Sequence, residues 1–174
     1  MPIRRLRPED APRYRALMLD AYRDHPDAFT SSFEERAAQP ADWWAWRLSP
    51  DSDQRVVGAL EGESLVGAAG WQRDPRARTR HRGELFGMAV AAPARGRGLG
   101  RALVEAVLAD LRAADGMVAV RLTVTEGNRA AERLYARCGF VRCGTEPMAV
   151  RVGDRFLDKV VMWRTLDGAA APAG

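Results

Sequence analysis

The stretch that most constrains the fold begins at Glu84. An apolar, strand-like segment (Leu85, Phe86, Met88, Val90) runs into a loop of glycine and arginine, and then into Leu99, Leu103, Val107 and Leu111 at helical spacing. The spacing predicts a helix from Leu99 to about Ala113, ended near Asp115-Gly116. Val118, Val120, Leu122 and Val124 then alternate with Ala119, Arg121 and Thr123, which is the period of a strand. Strand, helix and strand at this length form a right-handed crossover, and the two strands are therefore parallel. The turn between them suits an anion. Gly96, Gly98 and Gly100 leave backbone N–H groups uncovered, Arg95, Arg97 and Arg101 bring charge, and the helix start adds about half a positive charge.

Three familiar glycine loops fail on spacing or context. A dinucleotide fingerprint starting at Gly96 would need its third glycine where Arg101 stands, and no Lys-Ser or Lys-Thr follows the glycines to make a Walker loop. The partner motifs of a kinase loop are absent. What the residues do contain is Arg95-x-x-Gly98-x-Gly100 between a strand and a helix. Downstream lies a second pattern, Asn128-x-x-Ala131-x-x-Leu134-Tyr135-x-x-x-Gly139-Phe140, in which Asn128 can cap a helix whose Ala131, Leu134, Tyr135 and Cys138 share one face. In order and separation these two patterns resemble the paired motifs of the GCN5-related N-acetyltransferases, the GNAT family. The resemblance spans Ile3 to Leu166, although its informative motifs cover only Glu84 to Arg101 and Asn128 to Phe140.

The resemblance implies an α/β (α+β) fold: a mixed, mostly antiparallel sheet of about six or seven strands, with helices on both faces. Its parallel pair, Glu84–Val90 and Val118–Val124, splays apart. It also implies acetyl-CoA as co-substrate. Backbone groups of Met88, Ala89 and Val90 would pair with the pantetheine arm as an added strand does, with an N–H near Ala89 or Val90 polarising the thioester carbonyl. The segment Arg95, Gly96, Arg97, Gly98, Leu99, Gly100 and Arg101 would hold the pyrophosphate, and Asn128 would hydrogen-bond the pantetheine. Direct attack needs a neutral amine, whereas a lysine-like amine has a pKa of about 10.4. Glu84 is the candidate base, acting directly or through water, and Tyr135, which falls on the family's position, is the candidate acid for the departing thiolate. The implied reaction is acetyl transfer to a primary amine of a small molecule or peptide. A non-catalytic acyl-CoA-binding or sensor domain of the same fold is the alternative. Family members that acetylate protein N-termini often carry a glutamate where this chain has Thr123, which disfavours that acceptor class.

In the N-terminal half, Ile3 to Leu6 reads as a short strand. Pro8-Glu9-Asp10 opens a helix that stops near His25-Pro26, and a second short helix is capped by Ser31 or Ser32. In the family this region lines the acceptor site, so Phe29, Phe33, Glu34 and Glu35 are candidate substrate contacts. Trp43, Trp44 and Trp46 cluster in Ala41 to Leu48, and helical spacing puts Trp43 and Trp46 together as core. Gln54 to Leu60 and Ser64 to Trp71 read as a hairpin, followed by a polar loop from Arg76 to Arg82. Phe140 to Val152 and Arg155 to Leu166 read as two strands joined at Gly153-Asp154. The small residues of 167–174 read as a disordered tail after a single domain of 1–166.

Composition bounds the rest. The 174 residues suffice for one core, and no apolar run approaches the roughly 20 residues of a membrane span. The start of the chain lacks the apolar stretch of a signal peptide, so a cytoplasmic location is expected. Net charge is +4, yet the basic residues are dispersed and aromatic content is 7%, which argues against nucleic acid. Cys138 and Cys143 have no metal or redox spacing and read as core thiols, and His25 and His81 are far apart, so no metal is expected. Both a monomer and a homodimer fit these observations.

Overall fold

The computed structural model describes residues 1–166; the disorder expected of 167–174 concerns residues outside the described part. In chain order the strands and helices are β1 (Ile3–Arg5), α1 (Ala11–Asp24), α2 (Phe33–Ala37), α3 (Ala41–Arg47), β2 (Gln54–Glu61), β3 (Ser64–Arg73), β4 (Arg82–Val90), α4 (Leu99–Ala113), β5 (Ala119–Thr125), α5 (Arg129–Arg137), β6 (Val141–Val152) and β7 (Arg155–Thr165). All seven strands join one sheet, in the order β1-β2-β3-β4-β5-β7-β6. Only the β4–β5 pair is parallel. This is the crossover that the sequence predicts, with β4 beginning at Arg82 and β5 running from Ala119 to Thr125.

Period-2 alternation divides the sheet between two cores. Leu85, Leu122, Val124, Val160 and Met162 face α4, whose Leu103, Val104, Val107, Leu108 and Leu111 are fully buried against them. On the other face α1 and α3 pack Tyr14, Met18 and Trp44 over Val56, Ala68, Ala89 and the half-buried Phe86. Helix α1 follows a 3-10 turn, Pro8–Asp10, in which Asp10 accepts from the Arg7 N–H and from both terminal nitrogens of Arg4 at 2.7 and 2.9 Å. The guanidinium of Arg4 holds this buried carboxyl below its ordinary range, against the opposing effect of burial.

Two features of β4 set up everything that follows. Its ladder to β5 runs Arg82↔Ala119, Gly83↔Val120, Glu84↔Arg121 and stops there, although β4 continues to Val90 and β5 to Thr125. Beside the gap, the register with β3 slips between Ala68 and Gly70, and Gly87 sits at φ 62°. The result is a β-bulge: Leu85 and Met88 both face α4 although they are three residues apart. Glycine within a strand pattern is the local sign of such a bulge.

Two packing expectations need correction. In α3 it is Trp44 that is buried, edge-on to Tyr14 at a centroid distance of 5.7 Å, while Trp46 is 57% exposed. At about 100° per residue, a helix that turns Trp44 into the core turns Trp46 away from it. Cys138 is a core thiol, but Cys143 is exposed, because β6 is the outermost strand.

Candidate active site

The gap between β4 and β5 is a cleft of about 140 Å³, lined by Phe29, Phe86, Met88, Thr123, Asn128 and Tyr135 among others. Helix α5 delivers the last two. Asn128 caps it, its side-chain oxygen accepting from the Ala131 N–H at 3.2 Å, which leaves the amide nitrogen for a ligand. Two turns further, Tyr135 lies 6% exposed, edge-on to Phe140. Burial pushes its phenol well above the ordinary range, so it keeps its proton at neutral pH. No hydrogen bond to a described residue engages that hydroxyl.

Gly98 stands at the N-cap of α4 with φ 76° and has no side chain to cap the first turn, so the N–H groups of Leu99, Gly100 and Arg101 stay open. A Cβ on Gly96 or Gly98 would meet nothing within 4 Å. The arginines do not converge on these glycines as expected. Arg95 Nε donates to the Val90 carbonyl at 3.0 Å and its Nη2 lies 2.8 Å from His25 Nε2; Arg97 pairs with Glu61 at 3.0 Å, and Arg101 stands 3.8 Å from Glu105. Each long exposed side chain has found the nearest acceptor. The Val90 carbonyl thereby already accepts one hydrogen bond of the two that its lone pairs allow.

Glu84 opens onto a different, larger cavity of about 670 Å³ with Trp43, Trp46, Arg47 and Arg121. It lies on the last rung before the strands part, its carboxylate 3.5 Å from Arg121 and accepting from Gln72 Nε2 at 3.4 Å. Phe86, two residues on, joins the two spaces: its ring lines the cleft, and the Arg47 guanidinium stacks on it at 5.1 Å. Tyr135 and Glu84 therefore serve neighbouring spaces rather than one pocket.

The predicted acceptor contacts divide. Phe29 touches the cleft and packs edge-on to Tyr22 at 4.7 Å. Phe33, under Arg23 at 4.9 Å, and Glu34 line a third cavity, about 410 Å³, against the β6–β7 turn, and Phe29 borders this cavity too. Ser32 is the cap of α2, and Glu35 completes a capping box with it, so that acid is occupied by its own helix. Arg47, Gln54, Gln72 and Arg121 were not singled out from sequence. Nothing within a few residues of any of them marks its place; strand register places the last three, and the packing of α3 against Phe86 places Arg47.

A family model described as the acetyltransferase (GNAT) family matches residues 18–140. A mycothiol acetyltransferase of Beutenbergia cavernae is 31% identical over 130 residues, 72% of this chain and 39% of the relative. The chain thus spans less than half the length of the curated relatives it matches. Among solved structures, a ribosomal-protein-alanine N-acetyltransferase from Brucella melitensis superposes with a TM-score of 0.79 at 26% identity, covering 95% of this chain and 100% of that one. The Salmonella typhimurium yncA structure, solved with acetyl-CoA, gives a TM-score of 0.81 at 23% identity, over 99% and 98% of the two chains.

Proposed function

The chain belongs to the GNAT acetyltransferase family, and from that premise we propose that it transfers an acetyl group from acetyl-CoA to a primary amine by direct attack within a ternary complex. One observation carries the reading: β4 leaves β5 immediately after Glu84, which puts a phenol that keeps its proton in the cleft and a carboxylate in the adjoining cavity.

The residues fit the donor. The uncapped start of α4 offers N–H groups to a pyrophosphate. The stretch from Met88 to Val90 has no β5 partner and can accept an extended arm. Asn128 has its amide nitrogen to give. Acetyl-CoA supplies an acyl group activated as a thioester. Glu84, or a water held by it, takes the proton from the acceptor ammonium, so that nitrogen can bond to the acyl carbon as the carbon–sulfur bond breaks. Tyr135 gives its proton to the departing sulfur, and the second proton of the attacking nitrogen, shed as the amide forms, restores the phenol, so that amide, free thiol and one proton on Glu84 result. The absence of a carboxylate at Thr123, which faces the cleft, supports a small-molecule amine over a protein N-terminus.

Release of free thiol from acetyl-CoA across a panel of amines tests the reading. Thiol appearing only with an amine, together with the acetylated product, is the expected result. Tight acetyl-CoA binding with no release on any amine would instead make the chain an acyl-CoA sensor.

A further inference from the structure

The cavity over Glu84 has a floor that the reaction alone does not explain. Four side chains from four strands stand in one cross-strand row: Gln54 opposite Gln72, Gln72 opposite Glu84, Glu84 opposite Arg121. They are linked end to end, Gln54 Nε2 to Gln72 Oε1 at 3.3 Å, Gln72 Nε2 to Glu84 Oε2 at 3.4 Å and Arg121 to Glu84 Oε1 at 3.5 Å. At about 670 Å³ the space is within the usual range for small-molecule sites, about 300–1,000 Å³.

Its wall carries a charge that no carboxylate of the described residues answers. Arg47, at the end of α3, is half-buried between the rings of Trp43 at 4.6 Å and Phe86 at 5.1 Å. Its Nε is buried with no hydrogen-bond partner, and the guanidinium meets the buried Tyr14 hydroxyl but none of the ion pairs found among the described residues includes it. Other arginines of this cavity are engaged: Arg121 by Glu84, Arg82 by Asp74, and Arg73 by the Asp115 carbonyl at 2.7 Å. Aromatic faces offset part of the cost of withdrawing a guanidinium from water, and an anionic ligand would offset the rest through charge-assisted hydrogen bonds. Five arginines against four carboxylates line the space, so a net cationic amine is not its best complement.

Resting on the acetyltransferase reading, we propose that the acceptor is amino-acid-like: its carboxylate pairs with Arg47 while its amine is presented to Glu84. The exposed Trp46 and the face of Trp43 then flank its side chain. Arg47 is a specificity-determining residue in this arrangement and takes no part in the proton transfers.

Matched pairs test this without altering the protein. Each standard α-amino acid and its primary amide are compared in the thiol-release assay with saturating acetyl-CoA. At least one acid is expected to exceed its own amide by about 10- to 100-fold in kcat/KM, the worth of a hydrogen-bonded charge. Arg47→Met, which keeps the aliphatic stem against the rings, should raise KM for that acid by a similar factor while leaving its amide and the acetyl-CoA Kd unchanged. Amides used as well as acids throughout, or an Arg47→Met effect equal on both, overturns the proposal. A protein that releases no thiol with any amine refutes the acetyltransferase reading; calorimetry with the same pairs then decides the pocket, tenfold preference for an acid supporting it, and equal or absent binding overturning it.

Discussion

The cleft beside Tyr135 and the cavity over Glu84 share strand β4 but are built on opposite principles. The cleft exists because backbone is left unpaired: beyond the Glu84↔Arg121 rung β4 has no partner on its β5 side, and what the cleft offers is largely main chain, one amide and one phenol. The cavity exists because backbone is paired. Successive rungs from β2 to β5 bring Gln54, Gln72, Glu84 and Arg121 level, and what it offers is side chains. A surface of main chain suits a donor handled the same way whatever the acceptor. A surface of side chains can be altered one residue at a time, which is why our proposal lodges acceptor choice there.

If the cleft holds the acid and the cavity the base, each can be disabled alone. The largest effect is expected from Tyr135→Phe, which keeps the ring against Phe140 and removes only the proton. Turnover should fall about 10²–10⁴-fold with acetyl-CoA affinity and Tm unchanged. An unchanged kcat, with chemistry shown to limit the rate, would strip the cleft of its chemical role. Next is Glu84→Gln, whose amide can keep the contact with Gln72 but can neither accept a proton nor pair with Arg121. A loss of about 10²-fold is expected for alkylamines and much less for an arylamine, which is already neutral at pH 7; equal losses on both would argue against a base at this position.

A substitution at the far end of the cleft should spare the cavity altogether. Gly98→Val forces a β-branched residue toward φ 76°, so the loop must shift and the first-turn N–H groups with it. Calorimetry should show acetyl-CoA bound at least about tenfold more weakly, on the scale of one lost charged hydrogen bond, with the acceptor KM unaltered. Undiminished affinity would remove the phosphate cradle from the start of α4.

The smallest effect concerns the rim of the cleft. Lys159, the only lysine of the chain, is 3% exposed and donates to Thr125 Oγ1 at 2.8 Å, while Thr125 donates to the Asp27 carbonyl above it. Burial lowers its pKa from the ordinary 10.5. The folded chain therefore binds fewer protons than the unfolded one between the lowered value and 10.5, and wild-type stability should rise with pH across that window. Lys159→Met should abolish the rise and gain about 1 kcal/mol at neutral pH, because the buried charge is gone and the Thr125–Asp27 bond remains. A pH slope unchanged by the substitution would assign it to another group.

Sequence reading succeeded wherever the cause is local. The crossover from β4 through α4 to β5, the glycine loop at the start of α4 and the Asn128 cap each follow from dihedral preferences, periodicity or a hydrogen bond reaching a few residues along the chain. The same local rules placed the Tyr135 side chain on the buried face of α5. They failed for Trp46, Cys143 and the loop arginines, whose surroundings are set by which element happens to pack there.

By itself, then, the order of residues determined the elements, the parallel pair and the Asn128 cap of α5, because backbone torsion and capping act over one or two turns. Tertiary structure alone decided that β4 leaves β5 after Glu84 and that Arg47 overlooks a row drawn from four strands. Those outcomes depend on register between segments tens of residues apart, where a shift of one position moves a side chain to the opposite face of the sheet.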